Sequence, residues 1–214
     1  MNHRQILAVV EGHGEVIAVP NLINRLAADL GLPLRLSPNP IRMNVRRPRD
    51  AERVGELTRT RPRIDGVLVL RDDDDGCPAA DGPEMARWFK ALSLPFPTTC
   101  CLFHREYETL FLAALPELAG QPLRGPGGER EGLPPGAALE RDPVAVRDAK
   151  GVISGLLPAG RVYKPTTDQL ALTRLIRFEP LRNLRIPCFE TLERALGFLA
   201  RAATPGTVFP LDRS

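Results

Sequence analysis

Two short apolar runs, QILAVV (5–10) and DGVLVL (65–70), place the strongest constraint on how this chain folds. Neither run alternates between apolar and polar residues, as a strand with one solvent-exposed face would. A strand that is apolar on both sides is buried on both faces, which is typical of a parallel sheet covered by helices. The two runs therefore predict an α/β fold with a mostly parallel, Rossmann-like sheet flanked by helices.

The segments around these runs carry signals of helices and of further strands. Pro20 and Pro83 are each predicted to open a helix, because the missing backbone N–H costs nothing in a first helical turn. TTCCLF (98–103) is predicted to be a strand and REYETLFLAAL (105–115) a helix. The order of elements favours a parallel α/β core followed by a helical C-terminal part.

A stretch rich in glycine and proline separates these two parts. Between Gly120 and Gly136, 10 of 17 residues are Gly or Pro, which predicts a loop or a disordered insert rather than an element. We therefore expect a core at 1–118, an insert at 119–141 and a helical part at 142–214 that is packed on the core within a single domain.

Helix signals resume after the insert. Asp142 and Pro143 suit the first positions of a helix that runs to about Ser154. Thr166 and Gln169 have the spacing of a capping box, and a last helix is predicted from about residue 189 to 202.

Composition narrows the class of protein. The chain has 214 residues, 43% of them hydrophobic, but no apolar run near the roughly 18 residues that a membrane helix needs. Its N-terminus lacks the anatomy of a signal peptide, so we expect a cytoplasmic protein without membrane contact. None of the four cysteines forms a CxxC pair and the three histidines are scattered, which argues against a structural zinc site.

Arginine is concentrated between residues 42 and 63, a segment that contains eight arginines and only three acidic residues. Such an excess could contact a phosphate backbone. It could equally be a solvated surface in a chain that has only three lysines. The candidate nucleic-acid contacts are Arg42, Arg46, Arg47 and Arg49.

Each apolar run is followed by carboxylates. Glu11 follows the first run, and four aspartates, Asp72 to Asp75, come shortly after the second. Ligands gather at the carboxyl ends of parallel strands, so neighbouring strands would bring Glu11 and the aspartates to one edge. Crowded carboxylates repel one another unless a cation lies between them, and Mg²⁺ prefers such oxygen ligands. Asp72 and Asp74 point to the same side of an extended chain, so these two and Glu11 are candidate metal ligands.

Other sites fit the sequence less well. A calcium-binding EF-hand loop that starts at Asp72 would have Gly76 and Pro83 where it needs acidic ligands. EGHGE (11–15) matches half of a dinucleotide-binding motif, but Ile17 replaces the third glycine. A phosphatase-type nucleophilic aspartate stays open, although it leaves the glutamates of EGHGE without a role. A polar loop that caps a helix is the plainer alternative, and it is preferred for Asp75.

The order of these motifs resembles a known family. The first strand ends in Glu11 and is followed by Gly12 and Glu15, and a later apolar strand ends in Asp72-x-Asp74. This arrangement resembles the TOPRIM fold of topoisomerases, primases and OLD-type nucleases. It resembles in particular small TOPRIM-like proteins of unassigned function that are often encoded beside ABC-type ATPases in bacterial defence loci. Further matching segments are HREYETLF (104–111), Lys150, VYKPTTDQLA (162–171) and PCFETL (187–192).

The resemblance implies cleavage of phosphodiester bonds that depends on Mg²⁺ or Mn²⁺. Glu11, Asp72 and Asp74 would be the first metal ligands. Glu15 would hold a second metal ion or a water molecule bound to it. The departures are the Gly/Pro-rich insert and DDDDG (72–76), where relatives more often have a simpler D-x-D-G.

Other residues would complete this site. On a helix Glu106 and Glu108 would diverge by about 200°, so only one is expected to face the ion, and Glu106 is preferred as the nearer to the strand end. Lys150 and Lys164 could stabilise the transition-state phosphate or protonate the leaving group, and they join Glu11 as candidate catalytic residues. A surface role is the alternative for both lysines and for His13, which lies in the turn after Glu11.

The leading hypothesis, which rests on the resemblance, is a TOPRIM-type nuclease that acts on nucleic acid, with DNA as the expected substrate. The resemblance also implies a separate ABC-type ATPase as a partner. Any control by ATP would have to come from such a subunit, because the chain itself has no G-x-x-x-x-G-K-S/T phosphate-binding loop. The alternatives are a non-catalytic adaptor with the same fold and another metal-dependent phosphotransfer enzyme.

Overall fold

A computed structural model describes residues 3–61, 63–125, 127–201 and 204–210. The strands are β1 (Arg4–Val10), β2 (Leu34–Leu36), β3 (Ile41–Arg42), β4 (Gly66–Asp73), β5 (Thr98–His104), β6 (Leu123–Gly125), β7 (Gly128–Arg130) and β8 (Val208–Phe209). The α-helices are α1 (Glu15–Asp29), α2 (Pro48–Arg59), α3 (Pro78–Ala91), α4 (Thr109–Ala113), α5 (Leu115–Leu118), α6 (Ala149–Leu156), α7 (Leu170–Leu175), α8 (Phe178–Asn183) and α9 (Pro187–Ala200). A 3₁₀ turn (Pro143–Ala145) and a π-helical turn (Pro165–Gln169) complete the elements.

Six strands of the described chain form one sheet in the order β2-β1-β4-β5-β8, with β3 paired to β1 beyond the end of β2. All of its pairings are parallel. The prediction of a mostly parallel sheet flanked by helices is therefore confirmed. Strand β8 was not predicted, because two residues are too few to give a pattern.

Both faces of the sheet are buried, as the apolar runs predict. In β1, Ile6, Ala8 and Val10 belong to the core on one face, together with α1, α7 and α9. Leu7 and Val9 belong to the core on the other face, together with α2 and α3. The helical C-terminal part thus shares a core with α1. In the described ranges, no helix has the length and apolarity that a membrane crossing requires.

Two predicted helix starts were wrong for the same reason. Helix α1 begins at Glu15 and α3 begins at Pro78, so that Pro20 and Pro83 lie inside these helices. The rule that proline suits a first turn holds for α3, but the proline concerned is Pro78. In α1 the carbonyl of Gly14 already accepts the N–H of Ala18, which starts the helix early.

The Gly/Pro-rich segment was wrongly predicted to lack structure. Its strands β6 and β7 form an antiparallel hairpin. Leu123 and Leu133 are buried, and Arg130 forms an ion pair with Asp168 over 3.2 Å. Burial of two leucines and an ion pair to the buried Asp168 thus fix a segment whose composition alone favours a loop.

The helix starts after the hairpin also need correction. Asp142 accepts the N–H of Val144, but this starts only a 3₁₀ turn. Helix α6 begins at Ala149, where Asp148 accepts the N–H of Gly151. The capping box of Thr166 and Gln169 is wrong, because these residues lie in the π-helical turn. The last predicted helix corresponds to α9, while position 202 lies outside the described residues.

Candidate functional site

Strands β1 and β4 are neighbours, and this brings the two acidic motifs together. Val9 of β1 is in register with Val69 of β4. Since both strands run in the same direction, Glu11 and Asp72 emerge at the same edge of the sheet, where ligands of open parallel sheets bind. The adjacency on which the metal hypothesis depended is therefore present.

A cleft of about 410 Å³ opens at this edge. Five of the residues that line it are acidic: Glu11, Glu15, Asp72, Asp74 and Glu108. Lys150 also lines it, and Pro165, Thr166 and Gln169 of the π-helical turn form part of its wall. Four of the five predicted metal ligands therefore share one cleft, and Glu106 is the exception.

The four aspartates separate as an extended strand predicts. Asp72 and Asp74 line the cleft. Asp73 instead accepts a hydrogen bond from Arg71 over 2.9 Å, and these two side chains are buried away from the cleft. Asp75 is exposed and pairs with Arg147 over 2.7 Å.

Glu15 closes the turn between β1 and α1. It is buried, and its carboxylate accepts the backbone N–H of Glu11 over 3.0 Å. Burial raises the pKa of Glu15, although hydrogen bonds from the backbones of Gly12 and Glu11 oppose this effect. Repulsion from the carboxylates of Glu108 and Glu11 raises the pKa further. The turn thus fixes one carboxylate at the floor of an acidic site.

Asp72 is the most confined of the aspartates. One of its oxygens accepts the backbone N–H of Tyr107 over 2.9 Å. Its pKa is raised well above the ordinary value, first by burial and then by repulsion from Glu15 and Glu108, and Lys150 only partly compensates. Burial and repulsion thus disfavour the charged form of this carboxylate, and a cation bound at the cleft would favour it.

Two polar side chains cover Glu11 from the β3–α2 segment. Asn44 and Arg46 both donate to Oε1 of Glu11, over 2.7 and 3.0 Å. Arg46 also lies 3.6 Å from Asp74 and is 46% exposed. One exposed cation therefore bridges two of the predicted metal ligands.

Lys150 bridges three carboxylates on the other side of the cleft. Its ammonium lies 2.8 Å from Glu106, 3.5 Å from Glu108 and 4.0 Å from Asp72. Burial alone would lower the pKa of Lys150, but attraction to Glu108, followed by the hydrogen bond and charge of Glu106, raises it. Lys150 is therefore held as a cation.

Glu106 has a different position from the one predicted. Its Oε2 accepts the backbone N–H groups of Ala149 and Lys150 over 3.0 and 3.3 Å, at the start of α6. Its Oε1 accepts a hydrogen bond from the ammonium of Lys150. Both oxygens are thus used in anchoring α6 and its lysine, where the helix dipole favours a negative charge.

Glu108, which helical spacing placed second to Glu106, is the glutamate of this pair that lines the cleft. It is only 1% exposed and lines the cleft. Tyr163 donates to its Oε1 over 2.8 Å, and Gln169 does so over 3.4 Å. Burial raises the pKa of Glu108, while Lys150 and the hydrogen bond from Tyr163 lower it in part. The argument from helical spacing failed because α4 starts only at Thr109.

The remaining candidates lie at or beyond the rim. His13 is exposed and lines the cleft. The side chain of Lys164 is exposed, and its backbone N–H donates to Asp168 over 2.9 Å. The other candidate nucleic-acid contacts are exposed on β3 and at the start of α2: Arg42, Arg47 and Arg49.

The donor atoms of the cleft suit a hard divalent cation. Among the described residues, neither Oε2 of Glu11 nor Oε2 of Glu108 has a hydrogen-bond partner, although both atoms are buried. Free carboxylate oxygens of this kind are the ligands that Mg²⁺ and Mn²⁺ prefer. The side chains do not form a complete coordination shell: the described ranges contain no group of three His, Cys, Asp or Glu residues placed to hold a metal ion. The carboxylates that line the cleft could hold a magnesium ion through one or two oxygens, with waters as its remaining ligands.

The chain was compared with models of protein families, with curated proteins and with solved structures, and no match was found. No family model matches it, and neither a curated protein nor a solved structure does so. The function of the cleft therefore has to be inferred from its own geometry.

Proposed function

We propose that the protein is a TOPRIM-type nuclease that hydrolyses phosphodiester bonds in nucleic acid with Mg²⁺ or Mn²⁺. The observation that carries this proposal is the cleft itself, where five carboxylates gather at one edge of the parallel sheet. Two of them, Glu11 and Glu108, have a buried oxygen without a hydrogen-bond partner among the described residues. Burial raises the pKa of Glu15, Asp72 and Glu108. The cost of keeping these charges together is reduced by a bound cation, and a substrate phosphate shares that cation.

The metal would be held by Glu11 and Asp72, with Asp74 at the exposed side of the cleft. Glu15 and Glu108 are the carboxylates available for a second ion or for its waters. Bound Mg²⁺ would supply charge stabilisation at the scissile phosphate and activation of water. This assignment keeps the predicted ligands except Glu106, whose oxygens already bind α6 and Lys150.

The cations of the site would act on the substrate. Lys150 is held by Glu106 beside the acidic cleft, in reach of a phosphate oxygen or of a leaving oxygen that needs a proton. Arg46 lies at the opposite side of the cleft, and its exposed guanidinium can form bidentate hydrogen bonds with a phosphate. Lys164 stays a candidate at the rim.

Exposed arginines in the segment that carries Arg46 support nucleic acid as the substrate class. Arg42, Arg47 and Arg49 are exposed in the same segment as Arg46 and can track a nucleic-acid backbone. This arrangement supports DNA or RNA as the substrate and gives no basis for sequence preference, because phosphate contacts position a duplex without reading its bases. Control by ATP would require a separate ATPase subunit, consistent with a role as the effector of a defence system.

Plasmid cleavage tests the proposal. The purified protein is incubated with supercoiled plasmid and Mg²⁺ or Mn²⁺, with and without any ATPase encoded beside it. Glu11→Ala and Asp72→Ala should abolish cutting. Asp75→Ala is the matched control from the same acidic run and should cut normally, because Asp75 is 81% exposed and pairs with Arg147 outside the cleft.

Two results would count against the proposal. Cutting that survives both Glu11→Ala and Asp72→Ala would show that the cleft is not the site of hydrolysis. No cutting in any condition, together with no Mn²⁺ binding by calorimetry, would favour a non-catalytic adaptor with the same fold.

A further inference from the structure

Glu108 is held at the cleft by hydrogen bonds from two residues of a distant segment. The phenol of Tyr163 donates to Oε1 over 2.8 Å, and the amide of Gln169 donates to the same oxygen over 3.4 Å. The other oxygen, Oε2, is buried without a hydrogen-bond partner among the described residues and lies 3.5 Å from the ammonium of Lys150. One oxygen is therefore fixed by hydrogen bonds, whereas the other makes none within the described part of the chain and faces the ammonium of Lys150, which lines the same cleft.

The placement of Gln169 depends on a glycine in the turn after β1. Gly14 has an ordinary helical φ of −66°, so its backbone does not require glycine. A Cβ at this position would lie 2.1 Å from Oε1 of Gln169 and 2.6 Å from the carbonyl oxygen of Pro165. The absence of a side chain therefore lets the π-helical turn close directly onto the acidic turn, which brings Gln169 within reach of Glu108.

We propose that Tyr163 is a positioning residue, with Gln169 in support, that fixes Glu108 so that its free oxygen faces the cleft as a ligand for a divalent cation. The cation rests on the proposed function, whereas the orientation of Glu108 does not. Some groups orient a metal ligand by hydrogen bonding to its atom that does not bind the metal. Removing such a group commonly lowers metal affinity about 10- to 100-fold. Tyr163 does not need to touch the metal ion or the substrate for this effect.

The chain contains a matched control for Tyr163. It has two tyrosines, Tyr107 and Tyr163, and both are buried and pack edge-to-face against Phe111. The hydroxyl of Tyr107 bonds to Thr173 over 2.9 Å, whereas that of Tyr163 bonds to Glu108. Tyr163→Phe and Tyr107→Phe therefore each remove one buried hydroxyl beside the same aromatic ring, but only the first removes a bond to the acidic cleft.

Calorimetric titration with Mn²⁺ and crystal structures of the metal-free variants test the proposal. Tyr163→Phe should weaken Mn²⁺ binding about tenfold or more and let the Glu108 carboxylate rotate, while Tyr107→Phe should do neither despite a similar fall in melting temperature. Equal effects of both variants on Mn²⁺ affinity, or an unmoved Glu108 in Tyr163→Phe, would overturn it.

A wild-type protein that binds no Mn²⁺ would refute the proposed metal-dependent function separately. The crystal structures would then decide the positioning role alone. A rotated Glu108 in Tyr163→Phe, with an unchanged Glu108 in Tyr107→Phe, would support that role. An unmoved Glu108 in both would overturn it.

Discussion

Replacement of Lys150 by methionine tests how the acidic cleft is held together. Methionine keeps most of the aliphatic stem and removes the ammonium, which lies 2.8 Å from Glu106, 3.5 Å from Glu108 and 4.0 Å from Asp72. The variant therefore leaves three carboxylates without their shared cation. The carboxylate of Glu108 is destabilised most, because its side chain is 1% exposed and water cannot take the place of the lost ammonium.

The expected loss of stability lies between two known limits. Breaking a buried ion pair costs about 3–5 kcal/mol, whereas an exposed pair contributes about 0–1 kcal/mol. The side chain of Lys150 is 39% exposed and that of Glu106 is 13% exposed, so solvent screens part of the interaction. We expect a loss of about 2 kcal/mol, which for a chain of this size lowers the melting temperature by about 4–8 °C.

Urea unfolding at neutral pH, with EDTA and then with Mg²⁺, measures this effect. Mg²⁺ should restore more stability to Lys150→Met than to the wild type, because the added cation replaces a missing one. Lys164→Met is the control for stability, since Lys164 is exposed and its replacement should change stability by less than about 0.5 kcal/mol. A Lys150→Met protein that is as stable as the wild type in EDTA would refute this account of the cleft.

Three further predictions concern the same site. Asp72→Asn should be at least as stable as the wild type in EDTA at neutral pH, because burial and the charges of Glu15 and Glu108 disfavour its carboxylate. It should no longer gain melting temperature from Mg²⁺, and a normal gain would contradict the ligand assignment. Raised carboxylate pKa values stabilise the metal-free protein fully below their ordinary values, and this contribution is lost as pH rises through the raised values. Mg²⁺ affinity measured by calorimetry should therefore keep rising as the pH increases above about 4, the ordinary carboxyl value, and a profile that is flat there would count against these shifts. Gly14→Ala should destabilise by about 1–3 kcal/mol in urea because its Cβ meets Gln169. Gly155→Ala, in open space on α6, should instead stabilise by about 0.5–1 kcal/mol, and equal effects of the two would contradict the close approach at Gly14.

The sheet and the meeting of Glu11 with Asp72 could be predicted from the sequence because burial leaves a strong local pattern. A strand buried on both faces must be apolar at every position, so β1 and β4 were recognisable without knowledge of their neighbours. The carboxyl ends of parallel strands share one edge, which then placed the acidic motifs together. Helix starts were less predictable, because several prolines satisfy the same first-turn rule and tertiary contacts decide among them.

The choice between Glu106 and Glu108 could not be made from the sequence. Helical spacing would turn the two side chains about 200° apart. The chain between β5 and α4 is not helical, however, and Arg105 has a φ of 70°. Both glutamates consequently reach the ammonium of Lys150. Glu108 is distinguished by its hydrogen bond from Tyr163. These two residues are 55 positions apart in the sequence, so no local sequence pattern predicts the bond.

The two cations of the cleft are held differently, and this difference bears on how a substrate would enter. Lys150 is anchored by Glu106, which also binds the backbone at the start of α6, so its movement would disturb that helix. Arg46 is nearly half exposed, and its ion pairs with Glu11 and Asp74 face solvent, where such pairs contribute little to stability. Under the proposed function, an entering phosphate would displace Arg46 from these carboxylates at small cost, and the same exchange would free oxygens of Glu11 and Asp74 for a metal ion. Under the proposed function, the acidic cleft would thus have one fixed cation, Lys150, and one exchangeable cation, Arg46, which would link substrate binding to metal binding.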